Sequence, residues 1–253
     1  MYWLSQIPRI KTSPIISGDV FFAEQKMLNL RVLRFLIVVG AMTVAGACLA
    51  QQSSSVWDTF ERTLGRNAGL GAHEIAVTYE VPGDSGPQVG SYTTHVGRWD
   101  AKGNPDRVLV KGGEKTYAMA RLDLSIAEHI ANHPEALFEQ PYSIHRSGDE
   151  TIDGQVFAVY EIQSRFVQGT KPVKARLWMA RESGAIYKVE GILLEVGLPG
   201  VKTADFVLQY APDAQGRSMP ATLELRYTIS IFFHTGEVSF KERFADWRSK
   251  LPN

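Results

Sequence analysis

Three stretches of this chain hold residue types with which enzymes do chemistry. Gly83-Asp84-Ser85-Gly86-Pro87 would offer Ser85 as a nucleophile, but a serine needs a base within hydrogen-bond reach, itself held by a third group. The only histidine before it is His73, and Gly, Asp, Ser and Pro are each what a hairpin loop requires. This stretch reads as a turn. His129 and His133 lie four apart, the spacing of two metal ligands on one helix face. A third ligand would have to be Glu128 or His145, yet Glu128 projects about 100° around the helix from His129, and Pro134 ends the helix at once. They read as polar residues of a helix, with His133 near a cap. Lys111 to Thr116 has two glycines and a Lys-Thr pair without the spacing of a phosphate-binding loop, and it falls between strands. It reads as a hairpin. No nucleophile–base pair, metal set or nucleotide loop results, so the expectation is a protein that is not an enzyme, with no metal and no cofactor.

What remains is the chemistry of binding. From Thr222 to Phe233, Leu223, Leu225, Tyr227, Ile229, Ile231 and Phe233 alternate with Thr222, Glu224, Arg226, Thr228, Ser230 and Phe232. A period of two held this long predicts a strand with one apolar and one mostly polar face. A strand of twice the usual length implies a broad curved antiparallel sheet with something large on its concave side. Alternation on this and neighbouring strands assigns Ile75, Val77, Tyr79, Leu177, Met179, Phe206, Leu208, Leu225, Tyr227, Ile229 and Ile231 to that side, as the lining of an apolar cavity. Tyr79, Trp99, Trp178, Tyr187, Tyr210, Tyr227, Phe233, Phe240 and Trp247 recur on strands; each alone suits a core, and together they could line a greasy pocket.

The elements that must hold these residues follow from punctuation. A helix through about Arg66 has Val56, Phe60 and Leu64 on one stripe and ends at Gly69 and Gly71. Strands are expected at His73–Val81, Val89–Trp99, Arg107–Val110 and Lys115–Ala120, with turns between. The period then changes: residues 124–140 read as helix, broken at Pro134, whose ring suits the first turn of a second short helix. Strands resume at Val156–Gln163 after the turn Asp153-Gly154, then Val173–Ala180, Ala185–Val196, Ala204–Tyr210, Thr222–Phe233 and Val238–Trp247, the last after a hairpin tip at His234–Glu237. The expected fold is mainly β with minor helix: an unclosed antiparallel half-barrel of about ten strands wrapping or capped by short helices.

The start of the chain addresses it elsewhere in the cell. From Met27 come Arg31 and Arg34, the apolar run Phe35–Val44, then small residues up to Ala50, the order of a secretory signal peptide. The apolar run is far shorter than the roughly 20 residues of a membrane span. Residues 1–50 are read as an N-terminal extension and signal peptide with translation beginning at Met27, and 51–253 as a single domain. Ala45-Gly46-Ala47-Cys48 offers Cys48 for lipidation; cleavage after Ala50, leaving a soluble periplasmic protein, is the preferred ending. Cys48 is the sole cysteine, so the domain has no internal disulfide. Residues 1–50 hold five of the 27 cations and two of the 27 anions, leaving 51–253 with a net charge of −3 and no basic tract for nucleic acid.

Some of these residues carry a resemblance. The run Ala175-Arg176-Leu177-Trp178-Met179-Ala180-Arg181-Glu182-Ser183-Gly184, followed by Ile186-Tyr187-Lys188-Val189-Glu190, resembles the part of LolA-like proteins where a tryptophan-bearing strand turns at a Ser/Thr-Gly pair into its partner. Asp153-Gly154-Gln155-Val156-Phe157 resembles their entry into an alternating strand, and Phe244-Ala245-Asp246-Trp247-Arg248 their closing aromatic strand. The similarity of order covers nearly all of 55–249. It implies an unclosed β-barrel around helices that act as a lid, with a hydrophobic cavity for acyl chains. Members include periplasmic carriers of outer-membrane lipoproteins, their outer-membrane acceptors, and sensors that regulate envelope-stress sigma factors. The expectation is a cell-envelope protein that holds acyl chains of a lipid or lipoprotein, two or three of which suffice for micromolar binding at roughly 0.8 kcal/mol per buried methylene. The alternative is an envelope-stress sensor or regulatory adaptor that binds another envelope protein. Membrane association would be transient or through a lipidated Cys48.

Overall fold

The computed structural model describes residues 56–83, 86–112, 125–139, 141, 143–165, 172–194, 201–231 and 234–250. The expected signal peptide, Cys48, Ser85, Phe233 and the strand expected at Lys115–Ala120 lie outside the described residues. All described residues fall in the compact unit Gln52–Asn253.

Ten strands form one antiparallel sheet: β1 (Leu70–Val81), β2 (Gln88–Trp99), β3 (Pro105–Lys111), β4 (Ser143–Ile152), β5 (Gln155–Arg165), β6 (Pro172–Ala180), β7 (Ile186–Leu194), β8 (Val201–Pro212), β9 (Ser218–Ile231) and β10 (His234–Ser249). Their order is β3-β2-β1-β10-β9-β8-β7-β6-β5-β4, so β3 and β4 are the outer strands and the sheet does not close. Every step but one joins strands consecutive in sequence; the exception pairs β1 with β10 and brings the two ends of the domain together. Asp153 (φ 51°) and Gly154 (φ 79°) alone separate β4 from β5, two left-handed residues as a tight hairpin with right-handed strand twist demands.

Alternation decides which side is inside. Along β1, Ala72, Ile75 and Val77 are buried, and the corresponding phase is buried in β6, β8 and β9. These residues share one cluster with Trp57, Phe60 and Leu64 of helix α1 (residues 56–65) and with Ala127, Ile130 and Ala131 of α2 (Ser125–Asn132). The inner face therefore wraps both helices, and the apolar stripes of the helices exist to meet it. Gly191 on β7 lets the sheet curve: a Cβ there would lie 2.4 Å from the Lys174 carbonyl oxygen of β6, so only glycine permits that approach.

Four expectations are corrected. Pro134 starts no second helix: residues 134–135 form a turn and Phe138 makes an isolated bridge, because the chain here is drawn off to β5, where Glu139 N–H donates to Arg165 O at 3.0 Å. β4 was not expected, since of Ser143–Ile152 only the ends are apolar; pairing with β5 holds it. The hairpin tip expected at His234–Glu237 is strand instead, as His234 pairs with Ile231 and Gly236 with Ile229. Finally, Trp178 and Tyr187 face outward in a separate cluster with Phe157, Val159 and Ala180, so they cannot line an inner pocket.

Candidate functional site

Of the residues expected to line a cavity, Ile75, Val77, Leu177, Leu208 and Leu225 are at most 1% exposed, and Met179, Phe206 and Tyr227 are also buried. All belong to the inner-face cluster under α1 and α2. Ile229 and Ile231 sit on β9, and their side chains lie outside the described set. Tyr79 is only partly buried. One row explains the arrangement: Tyr79 pairs with Phe240, Phe240 with Leu225, and Leu225 with Phe206, across β1, β10, β9 and β8. On the inner side this row grades from closed to open. Phe206 and Leu225 are covered, with the Phe138 ring 6.3 Å from Phe206, whereas Tyr79, Phe240 and the next inner residue of β10, Val238, are partly exposed. Tyr79 and Tyr227 flank Phe240 at 6.3 and 6.2 Å between ring centroids. Gly90 makes room for Tyr79, since a Cβ there would stand 2.2 Å from the tyrosine hydroxyl. At the end of the half-barrel that carries the β9–β10 hairpin, the apolar inner face thus ends in an aromatic rim. A smaller cleft of 290 Å³ opens where Val56 and Thr59 of α1 meet Tyr160 and Met179.

The opposite end is held shut by ionic contacts. Arg107 points inward from β3 with its side chain 5% exposed, and its Nε donates to Glu128 of α2 at 3.0 Å. Nη2 and Nη1 donate to the carbonyls of Ala72 (2.7 Å) and His73 (3.4 Å) on β1. Helix α2 is thereby tied to two strands near the start of β1, so it covers that end and leaves the Tyr79 end alone. Glu242 is a second inward charge, 1% exposed between apolar neighbours Val77 and Leu223. Neither charge was picked out from sequence, though each breaks the apolar phase of its strand.

His129 is 6% exposed, and its Nε2–H donates to Ala136 O at 2.7 Å. Burial lowers its pKa below the usual histidine value, and the charges of His133 and Lys250 act the same way against the Ala136 hydrogen bond and Glu135. His133 is exposed, with Nδ1 3.2 Å from Glu135. Lys250, 8% exposed at the end of the described chain, is also lowered by burial, with Glu135 opposing. On the outer face, His73 lies 3.4 Å from Asp246 and His95 2.9 Å from Glu74, their rings 5.3 Å apart. Asp246 has a left-handed backbone (φ 57°), and its salt bridge to Arg248 holds its pKa low. Among the described residues neither imidazole is hydrogen-bonded to a hydroxyl or thiol, and no group of three His, Asp or Glu is placed to hold a metal.

The outer face also carries a groove, running across the strands between two rows of side chains. Val89, Glu80, Arg226 and Asp205 form one wall and Lys241, Glu224 and Val207 the other, over backbone at Tyr79, Phe240, Leu225 and Phe206; this part encloses 340 Å³. It continues past Asp205 and Val207 into 430 Å³ walled by Ile192 and Lys174 on one side and Glu190, Arg176 and Glu161 on the other.

No known family profile matches the chain, and no curated protein matches it. Solved structures do. The chain is similar to LolA-superfamily proteins. One, from Nitrosomonas europaea, is 15% identical and covers 79% of this chain and 94% of its own, with a TM-score of 0.37. A domain from Vibrio parahaemolyticus, proposed to sort outer membrane lipoproteins, is 12% identical over 79% of this chain and 92% of that one, with a TM-score of 0.43. The MucA/MucB complex of Pseudomonas aeruginosa gives 8% identity, 79% and 100% coverage, and a TM-score of 0.24.

Proposed function

We propose that this chain is an exported, periplasmic binding protein that takes acyl chains of a lipid or lipoprotein at the Tyr79 end of its half-barrel. The observation that carries the reading is the graded inner face: closed beneath the helices, but ending in the partly exposed Tyr79, Val238 and Phe240. Partly exposed apolar rings at the mouth of an otherwise closed apolar face are what an acyl chain would cover. Ten methylenes buried there would contribute about 8 kcal/mol, the scale of micromolar affinity, without any polar contact. Arg31, Arg34 and the apolar run after them direct the chain to the compartment where such ligands travel. Native mass spectrometry of the protein purified from its own envelope tests this. Bound species whose masses match acyl lipids or a lipoprotein are expected. A ligand-free protein that also fails to take up added fatty acid overturns the reading.

A second reading is favoured by the outer groove, whose walls of mixed charge suit an extended segment of another envelope protein, as in a sensor or adaptor. Arg226→Glu would then release a co-purifying protein and leave acyl binding untouched. Under the acyl reading it would release nothing.

A further inference from the structure

Several arginines of this domain each have a carboxylate of their own: Arg98 has Asp106, Arg107 has Glu128, Arg217 has Asp213 and Arg226 has Glu237. Arg146 on β4 and Arg181 just after β6 share one. Arg146 Nη2 donates to Asp149 Oδ1, and Arg181 Nη1 to Asp149 Oδ2 at 3.3 Å. Glu190 is shared as well, by Arg176 and Lys188, but both of those cations also lie over the Trp178 ring, at 4.7 and 3.8 Å from its centroid. Among the described residues Arg146 and Arg181 have no such ring and no further hydrogen bond, so each guanidinium uses one of its five N–H donors. Both line the 290 Å³ cleft between α1 and the β4 side of the half-barrel. Val56, Ala158 and Met179 give this cleft apolar walls, Thr59 and Tyr160 bring hydroxyls, and the two arginines are the only charges among its described lining residues.

We propose that this cleft is an anion site that takes a phosphoryl group. Asp149 balances one of the two guanidinium charges and leaves the other, beside walls that exclude part of the solvent and so strengthen its pull on an anion. It also keeps the guanidiniums side by side, one on each oxygen, as an oxyanion that bridges them requires. A ligand carboxylate would only repeat what Asp149 already offers. A phosphoryl group brings up to two negative charges and three acceptor oxygens, enough for both arginines and the Tyr160 hydroxyl together. The cleft lies at the small end of ligand pockets, which suits a phosphate with a short ester group in place of a nucleotide. A soluble phosphate ester and a phospholipid headgroup share this chemistry. The site belongs to β4, β5 and β6, far in strand order from the rim on β1 and β10, so it stands or falls apart from acyl binding.

Titration of the purified protein with inorganic phosphate at constant ionic strength, followed by amide chemical shifts in NMR, tests the proposal. Saturable shifts are expected around Arg146, Tyr160 and Arg181, with a dissociation constant of about 1 mM, the scale of two or three charge-assisted hydrogen bonds. Arg146→Gln with Arg181→Gln should weaken binding at least about tenfold, because both charge-assisted contacts are lost. The two side chains are 36% and 55% exposed, so these changes should leave the melting temperature nearly unmoved and the loss cannot be put down to unfolding. Asp149→Asn should tighten binding at least about threefold, since it removes the carboxylate that competes for both guanidiniums. Vesicles of phosphatidylcholine with and without phosphatidic acid then separate the two sources. Capture by phosphatidic acid that needs both arginines makes the ligand a lipid headgroup, and phosphate binding without such capture makes it a soluble ester. No saturable shift with phosphate, equal affinity in the double glutamine variant, or binding that Asp149→Asn leaves unchanged or weakens would each overturn the proposal.

Discussion

Removing the guanidinium of Arg107 should loosen helix α2 before it loosens the sheet. Arg107→Met keeps the stem but deletes the contact to Glu128 at 3.0 Å and the hydrogen bonds to Ala72 O and His73 O. Hydrogen bonds to charged groups are worth about 1.5–3 kcal/mol each, and breaking a buried pair costs about 3–5 kcal/mol. The Glu128 side chain is 26% exposed and can be rehydrated, so the lower end applies and a loss of about 3 kcal/mol is expected. Glu128→Gln retains an acceptor and should cost about 1–2 kcal/mol. The double variant should be scarcely worse than Arg107→Met alone, a coupling of about 1–2 kcal/mol, because both changes break the same contact. Urea unfolding of the four proteins supplies the cycle. Hydrogen exchange adds the location: amides of α2 should exchange faster in Arg107→Met, with β5 to β8 unchanged. Additive losses, or a loss under about 0.5 kcal/mol for Arg107→Met, would refute the argument, since surface changes alone produce that much.

Two further outcomes are expected. His129 has its pKa lowered by burial, so as pH falls below about 6.5 the unfolded chain takes up a proton that the folded chain refuses, and stability drops until the folded imidazole titrates. His129→Gln should therefore lose less stability than wild type between about pH 7.5 and pH 5 in urea melts, whereas parallel curves would exclude the histidine as the source. Gly191→Ala should destabilise by about 2 kcal/mol or more in calorimetry, because its Cβ would meet the backbone oxygen of Lys174 at 2.4 Å; an unchanged melting temperature would contradict that close approach.

How much of this was legible in the sequence depended on whether a segment's pattern matched its burial. The β9 run from Leu223 to Tyr227 sits in the middle of the sheet with one face in the core, so alternation reported its faces correctly. The turn at Asp153-Gly154 was equally plain, since those residues tolerate left-handed backbone. β4 was illegible because an edge strand exposed on both faces has no apolar phase to display. Residues 134–139 misled for another reason: Pro134 does suit a helix start, but the bond from Glu139 to Arg165 fixes the path of the chain, and no local preference encodes it. Within the site, the apolar inner face was visible, whereas the difference between its closed floor and its open rim was not. That difference depends on where Phe138 and the helices come to lie over it. Arg107 and Glu242 could have been found, as charges standing in the inward phase of their strands, had that exception been weighed as a signal.

Acyl binding at the aromatic rim is the central claim, and titration of a fluorescent fatty acid into delipidated protein tests it most directly when Phe240→Asp and Leu225→Ala are run beside the wild type. Phe240 is partly exposed on the rim and Leu225 is 1% exposed in the floor, so the two changes separate a binding surface from a core. The account predicts saturable, micromolar binding by the wild type and a loss of at least about tenfold for Phe240→Asp, because a charge replaces apolar contact with the ligand. Leu225→Ala should bind nearly as the wild type does while losing about 2–5 kcal/mol of stability. No saturable binding by the wild type, or equal binding by Phe240→Asp, would contradict the account and leave the rim as an incompletely covered part of an ordinary core.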